Sequence, residues 1–215
     1  MPRHRDQQTH PVSKKTWEHS LPLLEQAIEN GLRDAAQTLS KVTGRNVLHT
    51  PPFVELVPLK NVPQMVGGAD TPTVAIYLGV SGSLDGHFFF LFSPVSSRQV
   101  VSLLLEENIP PDAPLDNMAY SALGEMGNIV GCSFLGSIAE ATGFHLLPTS
   151  PQVVEDFAGS IIEETLASLS GFTDEAVIIQ ASFSEASTEI SGYILFLPNT
   201  ESMGLLLAAL GKQLG

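Results

Sequence analysis

Hydrophobic residues recur with two different periods along the chain, and each period predicts one kind of element. Between Leu21 and Val42 apolar residues return every three or four positions, which is the spacing of a buried helix face, and Gly44 then provides a helix stop. The next segment, "NVLHTPPFVELVPL", is extended and broken by prolines, and a loop rich in Gly and Pro follows it. The apolar runs "TVAIYLGV" and "GHFFFLFS" predict two strands, and residues 96–107 are predicted to be helical.

The second half of the chain repeats this order of elements. A predicted helix covers roughly residues 113–142 and ends at Gly143, and the extended segment "FHLLPTSPQVV" again contains prolines. A short helix near 157–168, the strands "EAVIIQASFS" and "EISGYILFLP", and a last helix at about 200–213 complete the repeat. A period of roughly 100 residues indicates two similar halves about a pseudo-twofold axis. We therefore predict an α/β (α+β) fold whose halves share one continuous, mostly antiparallel sheet with helices packed on it.

The composition indicates a single globular domain after a short polar lead-in. Of 215 residues, 43% are hydrophobic, which is enough for a large core, but no apolar run reaches the ~18 residues that cross a bilayer. Residues 1–15 are polar and basic and are predicted to be disordered, not a secretory signal. The domain then covers residues 16–215, with repeats at about 16–110 and 111–215. The single cysteine, Cys132, excludes an internal disulfide and is expected to be a buried, inert thiol in a cytoplasmic protein.

The charge of the chain is acidic and unevenly distributed. The net charge is −13, and from residue 61 onward Arg98 and Lys212 are the only basic residues against seventeen acids. Such a surface repels phosphate backbones and anionic lipid, so we expect no nucleic-acid or membrane partner. The acids either keep the protein in solution or suit a partner with exposed lysines or a divalent ion.

The segment "SALGEMGNIVGCSFLGSIAEATG", residues 121–143, is an unusual helix because it holds five glycines. At 100° per residue, Ser121, Glu125 and Asn128 lie within about 60° of one another, opposite the apolar face formed by Leu123, Met126, Val130 and Phe134. These polar residues are either ordinary solvent-facing side chains or a functional face. Gly124 and Gly131 flank the face and leave room either for a partner or for close helix packing between the halves.

The spacing of these residues resembles a known family signature. Ser121-x3-Glu125-x2-Asn128, followed after 22 residues by Pro151, is similar to the signature of the CheC/CheX/FliY family of chemotaxis phosphatases, closest to a CheC-type protein. "GEMGNIVG" resembles the core of the family's helix, while "AAQTLSKVTGRNV" and "FVELVPL" resemble the equivalent region of the first half. The resemblance implies the internally duplicated CheC-like fold, with long signature helices packed on the sheet.

The resemblance also implies an activity and a set of roles. Family members dephosphorylate the response regulator CheY, whose receiver domain holds the phosphoryl group on an aspartate beside Mg²⁺. Asn128 would hold the attacking water, and Glu125 would meet a receiver lysine. Ser121 would support either the docking contact or the helix start, and Pro151 would shape the neighbouring strand. The chain would need no cofactor of its own, because the Mg²⁺ belongs to the partner. CheD is a further partner that CheC-type proteins engage.

The first half keeps the spacing of the signature but not its residues. It reads Pro22-x3-Gln26-x2-Glu29, followed after 22 residues by Pro52. A carboxylate at the water-positioning place would repel the phosphoryl oxygens, so this first site is expected to be inactive as a phosphatase. The alternative is that Gln26 and Glu29 are plain surface residues of a helix kept for its core.

Other chemistry does not stand out in the sequence. The six histidines show no metal-site spacing, and no dinucleotide, P-loop or nucleophile-elbow motif is present. Three functions remain open: a single-site phosphatase, a non-enzymatic adaptor that binds a receiver or CheD, and a flagellar-switch component related to FliY. The intact Glu125 and Asn128 pair favours the enzyme.

Overall fold

A computed structural model describes residues 14–168, 175–186 and 188–212. Of the segment expected to be disordered, residues 1–13 lie outside these ranges, whereas residues 14 and 15 already belong to the first helix. The first half contains α1 (Lys14–Thr43), β1 (Val47–His49), β2 (Phe53–Pro58), a 3₁₀ turn (Leu59–Asn61), α2 (Val62–Met65), β3 (Pro72–Gly82), β4 (Gly86–Phe92) and α3 (Pro94–Leu105). The second half contains α4 (Asn117–Thr142), β5 (Leu146–Pro148), β6 (Gln152–Phe157), α5 (Ala158–Ser168), β7 (Glu175–Glu185), β8 (Thr188–Pro198) and α6 (Thr200–Gly211). The predicted duplication of elements is therefore present.

The eight strands form one antiparallel sheet that runs through both halves. Its order is β1-β7-β8-β4-β3-β5, with β2 also paired to β7 and β6 also paired to β3. The halves meet in the middle, where β4 pairs with β8 from Gly86 opposite Pro198 to Phe92 opposite Gly192. The edges are exchanged, because β2 of the first half pairs with β7 of the second, and β6 of the second pairs with β3 of the first. Each half therefore completes the sheet of the other.

One face of the sheet carries α1, α3, α4 and α6 and forms the main core. Phe88 of β4, Phe134 of α4 and Phe196 of β8 are all fully buried, with 4.6 Å between the ring centroids of Phe88 and Phe134. The long helices α1 and α4 contact each other closely at Gly31, where an added Cβ would lie 2.9 Å from the Phe134 Cα. Any side chain at Gly31 would push the two helices apart, so this glycine sets their separation.

The opposite face of the sheet carries a smaller apolar cluster under short helices. Its central members include Phe89, Leu91, Ile178, Leu195 and Leu197. The 3₁₀ turn with α2 covers it from the first half, and α5 covers it from the second. The prediction of a loop before β3 is therefore wrong for residues 59–65, which form the 3₁₀ turn and α2. A helix of four residues is too short to show a period in the sequence, although Leu59 and Val62 are buried.

Capping groups and one ion pair with a buried arginine determine where α4 begins. The side chain of Asp116 accepts a hydrogen bond from the Ala119 N–H at the start of α4, and Gly143 ends the helix with a positive φ of 73°. Arg98 of α3, only 7% exposed, donates to the Ala113 carbonyl before α4 and pairs with Glu155 of β6 at 2.9 Å. This contact ties the start of α4 to the strand that follows Pro151.

No helix within the described ranges is long and apolar enough to cross a membrane.

Candidate functional site on the second long helix

The predicted polar face of α4 is exposed, as the sequence indicated. Ser121, Glu125 and Asn128 are exposed, whereas Leu123, Met126, Val130 and Phe134 are at most 2% exposed. The hydroxyl of Ser121 donates to the Asn117 carbonyl at 2.9 Å, one turn back along the helix. Since the apolar face is held in the core, the backbone under Glu125 and Asn128 is rigidly placed while their side chains face outward.

The glycines of α4 do different things on different sides of the helix. An added Cβ at Gly124 would meet nothing within 4 Å, so this position is open to a partner. Gly131 is buried, and a Cβ there would lie 3.0 Å from Leu78 Cδ2 of β3. The expectation that Gly131 leaves room for a partner is therefore wrong. A Cβ at Gly127 would overlap Ile76 Cγ2, so Gly127 and Gly131 let the helix approach the sheet.

Pro151 lies beside the site, next to the helix. Its Cβ would be 3.6 Å from a Cβ built on Gly127, and β6 begins at the next residue. Gly127 lies between Glu125 and Asn128 along the helix, so the structure brings the proline to the same turn as the polar pair. This position agrees with a proline that shapes the strand beside the site.

The carboxylate of Glu125 and the carboxamide of Asn128 have few internal partners. Among the described residues Glu125 makes no ion pair, and the one side-chain hydrogen bond of Asn128 joins its Oδ1 to the Cys132 Sγ at 3.6 Å. Cys132 is exposed, so the expectation of a buried thiol is wrong. Partial desolvation of the thiol, and then the negative charge of Glu125, raise the pKa of Cys132. The thiol therefore stays protonated near neutral pH and is a poor nucleophile, as expected.

The equivalent helix of the first half carries an ion-paired cluster instead of a free face. Glu29 Oε1 lies 2.8 Å from His49 Nε2 and 3.5 Å from the Arg33 guanidinium, and its Oε2 is buried without a hydrogen-bond partner. Gln26 is exposed, which agrees with the interpretation that it is a plain surface residue. The same interpretation is wrong for Glu29, which is only partly exposed. Its carboxylate is held against β1.

The remaining residues of the first-half motif occupy unremarkable positions. Pro22 is exposed in the interior of α1, which begins earlier than the apolar period indicated, and Pro52 is half-buried immediately before β2. His49 was not anticipated as a partner of Glu29. It stands at the position equivalent to Pro148, by the offset that relates Glu29 to Asn128. The sequence signal for this pair is that both residues differ from their equivalents in the second half, with Glu29 in place of Asn128 and His49 in place of Pro148.

A separate cavity of about 370 Å³ lies on the opposite face of the sheet. Tyr77, His87 and Phe89 line it from the strands, and Glu164 lines it from α5. The Tyr77 hydroxyl is 2.9 Å from His87 Nδ1. Burial lowers the pKa of His87 and raises the pKa of Tyr77, so both groups are neutral near pH 7.

Three features define the class of this protein: an internally duplicated antiparallel sheet, two long helices on one face of it, and an exposed Glu-x-x-Asn pair on the second of these helices. A family model described as the CheC-like family matches residues 118–155, from the first turn of α4 to β6. Over 204 residues the chain is 29% identical to the CheY-P phosphatase CheC of Bacillus subtilis (strain 168), with 92% of this chain and 96% of that protein covered. The chain is therefore similar to CheC-like proteins, both across the α4 to β6 segment and along most of its length.

Solved structures show the same similarity at the level of the fold. FliY of Thermotoga maritima superposes with a TM-score of 0.72 at 16% identity, covering 94% of this chain and 99% of that one. The FliM middle domain of H. pylori superposes with a TM-score of 0.65 at 9% identity, covering 92% and 99%. Because proteins with different names share the architecture, the function has to be argued from the residues of the site.

Proposed function

We propose that this chain is a phosphatase that hydrolyses the aspartyl phosphate of a CheY-type response regulator in chemotaxis signalling. The observation that carries the proposal is the pair Glu125 and Asn128, exposed on one face of α4 and without ion pairs among the described residues. The relative from Bacillus subtilis, named a CheY-P phosphatase, supports the choice of substrate. The reaction is a transfer of the phosphoryl group from aspartate to water.

Asn128 holds the attacking water in this mechanism. Phosphoryl transfer requires the nucleophile to be in line with the leaving oxygen, and the enzyme contributes mainly position and charge neutralisation. A neutral carboxamide both donates and accepts hydrogen bonds, so it orients a water without repelling the phosphoryl oxygens. The exposed position of Asn128 on α4 allows its side chain to enter a receiver's site.

Glu125 provides the docking contact. Its carboxylate lies one turn before Asn128, in a part of the chain with very few basic residues, and suits a lysine of the receiver through a charge-assisted hydrogen bond. Ser121 extends the same face by one turn, and the open space at Gly124 lets the partner approach the helix backbone. The metal in this mechanism is the Mg²⁺ of the receiver, and the chain contributes none.

The proposal assigns catalysis to the second half alone. In the first half the position equivalent to Asn128 is occupied by Glu29, whose Oε1 is engaged with His49 at 2.8 Å. That carboxylate would repel the phosphoryl oxygens, and its pairing with His49 points it back toward the protein. A cytoplasmic location and binding to CheD stay predictions.

Kinetics of receiver dephosphorylation test the mechanism directly. Asn128→Ala should lower kcat by about 100-fold or more with nearly unchanged receiver binding, because the water is oriented mainly in the transition state. Glu125→Ala should weaken binding as well. The matched control is Gln26→Ala at the equivalent face of α1, which should leave the rate unchanged. If Asn128→Ala keeps more than about half of the rate, Asn128 does not have the assigned role.

The assignment of a single site has its own test. In an Asn128→Ala background, Gln26→Ala and Glu29→Ala should cause no further loss of rate. Residual activity that disappears with either change would show that the first half is catalytic. Isothermal calorimetry with Mg²⁺, run on this chain without the receiver, should show no tight stoichiometric binding.

A further inference from the structure

Cys132 lies one turn beyond Asn128 on the same exposed face of α4. Its Sγ is 3.6 Å from Asn128 Oδ1, which is within reach of a weak S–H···O hydrogen bond because sulfur is larger than oxygen or nitrogen. We propose that Cys132 is a positioning residue for Asn128, whose thiol donates to Oδ1 and thereby selects one of the two orientations of the carboxamide. The proposal rests on the function proposed above for Asn128.

The selection follows from the chemistry of the two ends of the amide. A carboxamide flips by rotation about its last torsion, which exchanges an acceptor oxygen for a donor NH₂ group at nearly the same place. A protonated thiol donates weakly to the oxygen, and facing the NH₂ group it could offer only a weak acceptor, so the contact at Oδ1 sets the preference. In the described part of the chain, Asn128 makes no other side-chain hydrogen bond, so no other internal contact favours one orientation.

The surroundings keep the thiol in its donor form. Desolvation and the nearby Glu125 carboxylate raise the pKa of Cys132, so the proton stays on sulfur near neutral pH. The raised pKa also makes the thiol a poor nucleophile, which agrees with a role that acts through Asn128 and not on the substrate.

The selected orientation suits the transfer of a phosphoryl group. With Oδ1 turned toward Cys132, the NH₂ group takes the other branch of the carboxamide, where an incoming water or a phosphoryl oxygen can accept from it. Oδ1 keeps a second lone pair for a hydrogen bond from the same water. A flipped carboxamide would turn its N–H groups toward the thiol and leave fewer donors for the partner, and it would have to rotate before each turnover.

The test compares two substitutions at position 132 with phosphorylated receiver as substrate. Cys132→Ala removes the donor and should lower kcat by about 3- to 10-fold with an unchanged KM, which corresponds to one modest hydrogen bond. Cys132→Ser keeps a donor of similar size and should restore most of the lost rate. An unchanged kcat in Cys132→Ala, or a serine variant as slow as the alanine variant, would overturn the proposal.

A double-variant cycle separates positioning from a general structural effect. In an Asn128→Ala background, Cys132→Ala should have no further effect on the residual rate, because the residue that it positions is gone. An equal loss in both backgrounds would mean that Cys132 acts elsewhere.

An NMR measurement, which needs no enzymatic turnover, tests the contact between Cys132 and Asn128 independently of the proposed function. The side-chain NH₂ signals of Asn128, identified in an NMR spectrum by their absence in Asn128→Ala, should shift or broaden in Cys132→Ala and return in Cys132→Ser. If the wild-type chain has no phosphatase activity, the proposed function fails, and these signals still decide whether Cys132 orients the carboxamide. Signals that do not respond to Cys132→Ala would refute the contact.

Discussion

Alanine substitutions at two glycines of α4 should have opposite effects on stability. Each substitution gains up to about 1 kcal/mol of helix propensity, because alanine restricts the unfolded chain. At Gly124 the new methyl group meets nothing within 4 Å, so the gain is kept. At Gly127 the methyl group overlaps Cγ2 of Ile76, a fully buried residue. Because isoleucine is branched at Cβ, this methyl group cannot move away unless the side chain changes rotamer. We expect this overpacking to cost about 1–3 kcal/mol.

Because the propensity term is common to both variants, it cancels when they are compared. The difference in unfolding free energy between Gly124→Ala and Gly127→Ala should therefore equal the steric cost alone, about 1–3 kcal/mol. Gly131→Ala should fall between them, since its methyl group would lie 3.0 Å from Leu78 Cδ2, the movable end of a flexible side chain. Urea unfolding followed by far-UV circular dichroism measures all three. Equal midpoints for Gly124→Ala and Gly127→Ala would contradict the close approach of α4 to β3.

The same series tests why Gly124 is a glycine. If a receiver approaches the helix there, Gly124→Ala should raise KM for the phosphorylated receiver even though it stabilises the chain. Gly136→Ala is the matched control, because its methyl group also meets nothing within 4 Å and lies two turns beyond Asn128. The Gly136→Ala variant should gain as much unfolding free energy as Gly124→Ala, but its KM for the phosphorylated receiver should not change. An unchanged KM in both variants would show that the open space at Gly124 is not used in docking.

Two further predictions concern groups away from the exposed face of α4. Burial lowers the pKa of His87, so the unfolded chain takes up the imidazole proton at a higher pH than the native chain does. The contribution of neutral His87 to the unfolding free energy is therefore complete above the ordinary imidazole pKa and is lost as the pH falls through the lower pKa of the folded state. His87→Gln should flatten the loss of the urea midpoint between about pH 7 and pH 5, and an unchanged slope would contradict it. Glu29→Ala should cost about 1–2 kcal/mol of stability through the lost contact with His49, against less than about 0.5 kcal/mol for the exposed Gln26→Ala, and equal midpoints would refute the cluster.

The face of α4 could be predicted from the sequence because it depends on local geometry. An angle of 100° per residue separates Glu125 from Met126 wherever the helix lies in the fold. The same arithmetic puts Cys132 at about 20° from Ser121, in the middle of the exposed face. Its exposure therefore follows from the helix period, which here overrides the general preference of cysteine for the interior.

Other features depend on contacts between distant parts of the chain, and local patterns do not contain them. The role of Gly131 requires the distance to Leu78, a residue on a different strand. The exchange of β2 and β6 between the halves requires the pairing of Val54 with Ile179 and of Val74 with Glu155, which alternation within a strand does not specify. Alternation predicts a strand and its buried face, but not its neighbour.

The exchange of strands ties α1 to the fold whatever its exposed residues are. If the halves folded separately, a first half without function could be lost with little effect on the second. Here β2 pairs with β7, β6 pairs with β3, and α1 packs on α4 at Gly31, so the second half has no complete sheet or core without the first. The core positions of α1, such as Leu24, Ile28 and Leu32, are accordingly fully buried. Its outward positions carry no such constraint, so Glu29 can pair with His49 at 2.8 Å without disturbing the core.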